Sequence, residues 1–154
     1  MIFVLCPKIP DNKDNRKHPG NFKNWKECCN PMKVTVINPL QDGEGIWQGD
    51  SPGTIRKRYQ CFGARNSRDF CSNVTVYNPG EGCVFHNHPE SEELCYVIAG
   101  SGVIQDMEKN IQQRFRKGDL FLVERGEIHR IFNNGCEPLI LLLVCTGNTP
   151  LPEG

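Results

Sequence analysis

Short apolar or alternating segments of four to nine residues recur along the chain from residue 34 onward. Gly, Asn, Asp and Pro separate these segments, as in Asn78-Pro79-Gly80 and Asn134-Gly135. Segments of this kind, bounded by turn-forming residues, are typical of β-strands. The predicted strands are 34–37, 54–62, 73–77, 83–86, 94–100, 102–106, 111–116, 119–124, 129–133 and 139–145. No long helical period competes with them, so the pattern predicts an all-β sandwich or barrel.

The first 31 residues differ from the rest of the chain. The stretch NKDNRKHPGNFKNWKECCNP is rich in Asn, Lys and Pro and has neither a helical nor a strand period. Such composition indicates an irregular extension rather than part of a packed core. We therefore expect an N-terminal extension over 1–31 and one β-barrel domain over 32–154. Met32 opens the first strand-like segment, and the sequence leaves open whether it is the natural start.

Charge and hydropathy exclude several classes of partner. The 18 basic and 18 acidic residues give a formal net charge of zero, with no long run of like charges, so nothing indicates binding to nucleic acid. No apolar stretch approaches the roughly 20 residues of a membrane helix. The apolar run Ile2 to Leu5 is too short for the core of a secretion signal. The expected partners are thus a small molecule and, as argued below, a second copy of the chain.

The chain contains nine cysteines, an odd number, and no C-x-x-C pair. Most lie in or beside apolar segments, as Cys83, Cys95, Cys136 and Cys145 do. We interpret them as small buried thiols in a reducing cytoplasm. The alternative is a secreted disulfide scaffold, which the odd count and the lack of a secretion signal disfavour.

Candidate chemistry lies in residues 80–100, GEGCVFHNHPESEELCYVIAG. Because side chains alternate along a strand, His86 and His88 face the same side. Glu93 opens the next apolar segment, and His129 opens a later one after a tight turn. If these strands are neighbours, three imidazoles and one carboxylate converge inside the barrel.

A bound divalent metal ion explains such a cluster. Burying a carboxylate and several imidazoles without partners costs several kcal/mol each. Imidazole and carboxylate suit Fe(II), Mn(II), Zn(II) and Ni(II), and we favour Fe(II) or Mn(II). Four protein ligands leave about two octahedral positions open, which is typical of a reactive site.

Two motifs frame these residues. The spacing G-x5-H-x-H-x4-E-x6-G is filled by Gly80, His86, His88, Glu93 and Gly100. The spacing G-x5-P-x-G-x2-H-x3-N is filled by Gly118, Gly126, His129 and Asn133. In this order, and with 17 residues between them, the motifs resemble those of a small single-domain cupin of the conserved-barrel type.

The resemblance covers about residues 70–147 and implies a double-stranded β-helix, or jelly roll, with the metal at its centre. It also implies His86, His88, Glu93 and His129 as metal ligands. One position departs from the pattern, because Glu124 stands where the second motif has proline. Gly126 still supplies a permissive backbone, so we expect the turn to form and the ligand set to remain.

Three residues are candidates for contacting a substrate. Cys95 shares the face of Glu93, although a core position for this small side chain is the alternative. Arg56 and Tyr59 lie on an upstream segment, TIRKRYQCF, and would grip an acidic substrate. The alternative for the charged side chains of that segment is simple solvation.

The sequence therefore predicts a metal-dependent dioxygenase or isomerase that acts on a small, polar, oxygen-chelating molecule, with Glu93 also available as a base. The alternative is a non-catalytic module that binds a carbohydrate or an organic acid. A homodimer is also expected, because Leu94, Tyr96 and Ile98 form an apolar face on the side of the strand opposite Glu93. A strand that is apolar on both faces is normally covered on both, here by a partner subunit or by the N-terminal segment, and a two-fold dimer is the commonest solution.

Overall fold

A computed structural model describes residues 34–63, 67 and 69–146. The predicted irregular extension over 1–31 lies outside these residues, so the boundary at residue 32 stays a prediction. Within the described ranges, no helix has the length and apolar character needed to span a membrane.

Nearly all of the regular secondary structure in the described residues is β-strand, as the sequence predicts. One short helix, α1, spans Pro39–Asp42. The strands are β1 Ile46–Gln48, β2 Arg56–Phe62, β3 Phe70–Tyr77, β4 Glu93–Ala99, β5 Ser101–Gln105, β6 Ile111–Arg116, β7 Leu120–Val123, β8 Arg130–Phe132 and β9 Leu139–Thr146.

These strands form two antiparallel sheets. The larger has six strands in the order β1-β2-β3-β9-β4-β7, and the smaller has three in the order β6-β5-β8. Apolar side chains from both sheets make one core cluster, in which Val97 and Leu141 of the larger sheet join Phe115 and Ile131 of the smaller. The core therefore lies between the sheets, as in a jelly roll.

Strand alternation determines which side chains reach this core. Along β9, Leu139 and Leu141 are fully buried, while the alternate Ile140 and Leu142 are only partly covered. The same period places Glu93 and Cys95 inward on β4 and leaves Leu94 and Tyr96 exposed on its other face. Burial on one face and apolar exposure on the other is the two-sided pattern seen in the sequence.

Two predicted strands are wrong. Residues 34–37 do not pair, and Val34 and Val36 are 67% and 88% exposed. Asn38 instead caps α1 by accepting a hydrogen bond from the Gln41 N–H, and Pro39, which lacks an N–H, starts the helix. Residues 83–86 form a single isolated bridge, between His86 and His129, and the three-residue β1 was missed because so short a run carries no period.

Candidate metal centre

Four side chains from three parts of the chain meet between the sheets. His86 and His88 lie in the segment between β3 and β4, Glu93 is the first residue of β4, and His129 immediately precedes β8. One ligand atom from each of these residues lies within 4.8 Å of those from the other three. The structure thus brings together all four residues that the sequence nominated as ligands.

Backbone hydrogen bonds fix the approach of the two histidine segments. The His86 N–H donates to the carbonyl of His129 at 3.1 Å, and the His129 N–H donates back at 2.9 Å. The Gly126 N–H donates to the carbonyl of His88 at 3.0 Å, and Gly126 has a φ of 84°. The Glu127 N–H closes the turn on the Glu124 carbonyl at 3.3 Å, so this turn forms without the motif's proline.

Two imidazole rings are oriented by backbone carbonyls. His86 Nδ1 lies 2.8 Å from the Val84 carbonyl oxygen, and His129 Nδ1 lies 2.9 Å from that of Glu127. A carbonyl oxygen only accepts, so both Nδ1 atoms carry the proton and each Nε2 presents a lone pair when the ring is neutral. Histidines that bind metals are commonly held in this way, with one nitrogen donating and the other free to coordinate.

Glu93 is the negative charge of the cluster. Its Oε2 lies 3.1 Å from His129 Nε2 and 3.7 Å from His88 Nε2. Burial alone would raise its pKa, but the contacts with His129 and His88 outweigh burial and hold the pKa below its usual range. The side chain is therefore a carboxylate at neutral pH.

The pKa values of the two oriented imidazoles are shifted in opposite directions. Burial is the main cause that lowers the pKa of His86, to about 4, so this ring is neutral at pH 7. Burial would also lower the pKa of His129, but the hydrogen bonds to Glu93 and Glu127 outweigh it and raise the pKa. A cation, either a proton or a metal ion, is thus favoured between His129 and Glu93.

The hydrogen bonding of His88 indicates whether a metal ion fits the cluster. Its Nε2 is buried and has no hydrogen-bond partner among the residues that the structure describes. Leaving a buried polar atom unpaired costs about 1–3 kcal/mol. A divalent ion among the four side chains would coordinate this atom and take the place of the proton between His129 and Glu93. Three imidazole nitrogens and one carboxylate are donors that transition metals accept, so the residues fit such an ion.

A cavity of about 20 Å³ adjoins the cluster. It is lined by Arg56, Arg58, Thr75, Tyr77, Cys83, His86, Glu93, Ile131 and Leu143. Two of the four cluster residues therefore share a cavity with two guanidinium groups. A cavity of this volume has room for about one water-sized group, so it would receive only one end of a larger ligand.

The predicted substrate residues have different outcomes. Arg56 lines the cavity, and its contact with a substrate stays a prediction. Tyr59 does not, and the expectation is corrected: alternation along β2 puts it on the opposite face, where Lys57 Nζ lies 5.3 Å from its ring centre. Cys95 shares the inward face of Glu93 but is fully buried in the core cluster, which fits the alternative of a small core side chain.

Sequence reasoning also missed residues beside the cluster. Arg58 lies two positions from Arg56, so the period of two would have paired these residues in place of Arg56 and Tyr59. Cys145 Sγ lies 3.9 Å from Glu93 Oε1, a contact made by the neighbouring strand β9. No local signal marks Cys145, because its proximity depends on which strands pair.

Comparison with known proteins agrees with this architecture. The family described as "Cupin domain" matches residues 73–145, a range that contains all four cluster residues. This chain contains a cupin domain. A Klebsiella pneumoniae protein with a double-stranded β-helix domain superimposes with a TM-score of 0.60 at 20% identity, covering 79% of this chain and 95% of that one. The double-stranded β-helix fold expected from the motifs is confirmed.

Curated relatives of the cupin chain have varied names. A germin-like protein, subfamily 3 member 4, of Arabidopsis thaliana is 26% identical over 158 residues, spanning 90% of this chain and 75% of the relative. An oxalate-binding protein of Thermotoga maritima is 33% identical over 66 residues, spanning 43% of this chain and 53% of the relative. The chain is thus similar to proteins of more than one function.

Proposed function

We propose that this cupin domain binds one divalent metal ion through His86, His88, Glu93 and His129, and acts on a small polar molecule that chelates the ion through oxygen. The observation that carries the proposal is the buried Nε2 of His88, which has no hydrogen-bond partner among the described residues and lies beside a carboxylate and two oriented imidazoles. Fe(II) or Mn(II) are the favoured ions, with Zn(II) and Ni(II) as alternatives.

The residues of the chain supply position and charge. The Val84 and Glu127 carbonyls hold His86 and His129 in the tautomer that leaves Nε2 free. Glu93 adds one negative charge and, if it leaves the ion, an oxygen that can accept a proton. When bound, the ion supplies Lewis-acid polarisation of substrate oxygens and, if it is iron, a route to dioxygen chemistry. The apolar wall of Ile131 and Leu143 excludes water and strengthens these interactions.

The leading activity is that of a dioxygenase or an isomerase. The second candidate is a non-catalytic module that binds an organic acid or a carbohydrate. The guanidinium groups of Arg56 and Arg58 in the cavity beside the cluster favour an acid over a neutral sugar for this second candidate. The Thermotoga relative described as oxalate-binding is consistent with that choice.

Oxygen uptake separates the two candidates. Protein loaded with Fe(II) or Mn(II) would be mixed with diketones, thiols, catechols and keto acids, and both dissolved oxygen and product mass would be followed. An oxygenase consumes oxygen with a matching substrate, and an isomerase changes the substrate without consuming oxygen. Saturable binding with neither change would favour the binding module. Failure to retain any metal after gel filtration would contradict the dioxygenase and the isomerase, because both depend on the ion.

We also propose the cytoplasm as the compartment. In the described ranges Cys61, Cys83, Cys95, Cys136 and Cys145 are free thiols, and Cys83, Cys95 and Cys145 are buried. Unpaired buried thiols are typical of reducing compartments.

A further inference from the structure

Two inward-facing arginines of β2 form a second polar group in the cavity. Arg56 is only 7% exposed, and both Arg56 and Arg58 line the cavity that also contains His86 and Glu93. The Arg56 Nε and the Arg58 Nη1 each donate to the Oε1 of Gln48 at 3.2 Å. Two guanidinium groups thus converge on one neutral acceptor of the adjacent strand β1.

Their hydrogen-bonding capacity is not used up. In the part of the chain that the structure describes, neither arginine forms a salt bridge with a carboxylate. The Arg56 Nη1 and the Arg58 Nε are buried and have no hydrogen-bond partner among the described residues. Burial first, and the neighbouring charge of Arg56 second, lower the pKa of Arg58. Both observations indicate that this pair of arginines has the donors and the charge to bind an anion.

The net charge of the cavity also favours an anionic ligand. With neutral imidazoles, two arginines and Glu93 sum to +2 − 1 = +1. A divalent ion at the cluster would raise this to about +3. Positive charge enclosed in a poorly solvated space favours an anionic ligand far more than a neutral one.

We propose that Arg56, Arg58 and Gln48 form a carboxylate subsite for a small molecule whose other end reaches the cluster of His86, His88, Glu93 and His129. The carboxylate subsite is inferred from the two arginines and Gln48 alone. The contact of the ligand's other end with the cluster rests on the proposed function. A carboxylate is favoured over a phosphate because it is planar, matches the two-pronged donor face of a guanidinium and suits the small cavity. The ligand class is therefore a compact dicarboxylate or keto acid rather than a neutral sugar.

Anion titrations on the metal-free protein of residues 1–154 test the carboxylate subsite. Acetate, malonate and phosphate would be titrated at constant ionic strength, with heat and melting temperature as the two readouts. Malonate should bind and raise the melting temperature. Arg56→Gln and Arg58→Gln should each weaken malonate binding by about tenfold or more. Lys57→Gln, on the opposite face of β2, is the matched control and should leave binding unchanged.

A second test adds a carboxylate to the subsite instead of removing a guanidinium from it. Gln48→Glu places an acid between the two guanidiniums, so it should raise the melting temperature of the free protein and abolish its response to malonate. The subsite is overturned if wild-type protein shows no anion response, if Gln48→Glu binds malonate as wild type does, or if Lys57→Gln weakens binding as much as Arg56→Gln. Tighter binding of phosphate than of malonate would overturn the carboxylate assignment.

Metal content is measured separately on every variant, so the two proposals fail separately. All four variants should retain the metal content of wild type, since none changes a cluster residue. In protein loaded with Co(II), malonate should shift the visible spectrum and bind more tightly than acetate. Equal affinities for malonate and acetate, with no spectral shift, would show that the ligand does not contact the metal cluster. The carboxylate subsite at the arginines would not be contradicted by that result. Absence of metal from wild type would contradict the proposed function without affecting the metal-free titrations.

Discussion

At the scale of single residues, the four-residue cluster predicts how metal content depends on each side chain. His86→Ala, His88→Ala and His129→Ala should each lose most bound metal, because each removes one nitrogen of a shared set. Glu93→Gln should lose less, since an amide oxygen still coordinates weakly. Metal would be measured by mass spectrometry after gel filtration.

The adjacent acid provides the control for this series. Glu92 follows the same turn but does not belong to the cluster, so Glu92→Gln should keep the metal content of wild type. Full occupancy in two of the three histidine variants would contradict the site. Equal losses in Glu92→Gln and Glu93→Gln would show that the acid ligand is misassigned.

His86 gives the metal-free protein a pH dependence. Its pKa is about 4 in the folded chain and near 6.5 when unfolded, so between these values the unfolded chain binds the extra proton. Stability should therefore fall as the pH drops from 6.5 to 4, by up to about 3 kcal/mol. The raised pKa of His129 acts only above pH 6.5, where its contribution is lost as pH rises, and the lowered pKa of Glu93 acts only below about 4.5.

Urea unfolding in the presence of a chelator, at pH 4.8 and at pH 6.5, would measure this change (both values lie between the two pKa values of His86). The variant His86→Asn lacks the titrating ring and should show a smaller difference between the two conditions. Wild-type protein that is equally stable at both, or more stable in acid, would contradict the prediction.

At the scale of elements, the turn before β8 couples backbone conformation to the metal site. Gly126 lies three residues before His129 and has a φ of 84°. Its N–H donates to the carbonyl of His88. Gly126→Ala should cost about 1–2 kcal/mol of stability, because an L side chain is strained at this φ. It should also lower metal affinity, since the strained turn displaces both histidine segments.

Gly118 provides the comparison for this prediction. Its φ is 92°, and a methyl group there, as at Gly126, meets no atom within 4 Å. Gly118→Ala should therefore cost similar stability and leave metal affinity unchanged. Equal metal affinities in the two variants, measured by competition with a chelator, would show that the turn does not position the ligands.

The strands and the ligand set were predictable because both are local patterns. Short apolar or alternating segments marked β2, β3, β4 and β9, and the spacing of the two motifs identified the four ligands. Contacts that depend on strand order were not predictable. Gln48 reaches Arg56 only because β1 pairs with β2, and Cys145 reaches Glu93 only because β9 lies beside β4. The apolar run 34–37 failed as a strand because it pairs with no strand among the residues that the structure describes.

At the scale of the whole molecule, the division at residue 32 leads to a truncation experiment. All four cluster residues lie in the described β-domain. Deleting residues 1–31 should thus leave a folded domain that retains its metal. Circular dichroism, melting temperature and metal content would be compared with those of the full chain. A large loss of stability or of metal would show that the N-terminal residues belong to the domain.

The last prediction concerns the outer face of the larger sheet, which we propose is covered by a second copy of the chain. Leu94, Tyr96, Leu120 and Leu122 are 38%, 43%, 62% and 51% exposed, and β4 and β7 pair Leu94 with Leu122 and Tyr96 with Leu120. They form one contiguous apolar patch, and full burial of such a side chain contributes about 1.5–3 kcal/mol.

A two-fold dimer would place this patch against its own copy, so a single substitution changes the interface twice. Leu120→Lys should therefore convert a dimer into a monomer at micromolar concentration, because it brings two charges into an apolar contact. Met107→Lys is the control, since Met107 is 61% exposed in the turn between β5 and β6 and does not belong to the patch. Light scattering after gel filtration gives the mass of each. A monomer mass for wild type, or a dimer that persists in Leu120→Lys, would show that this face is not the dimer interface.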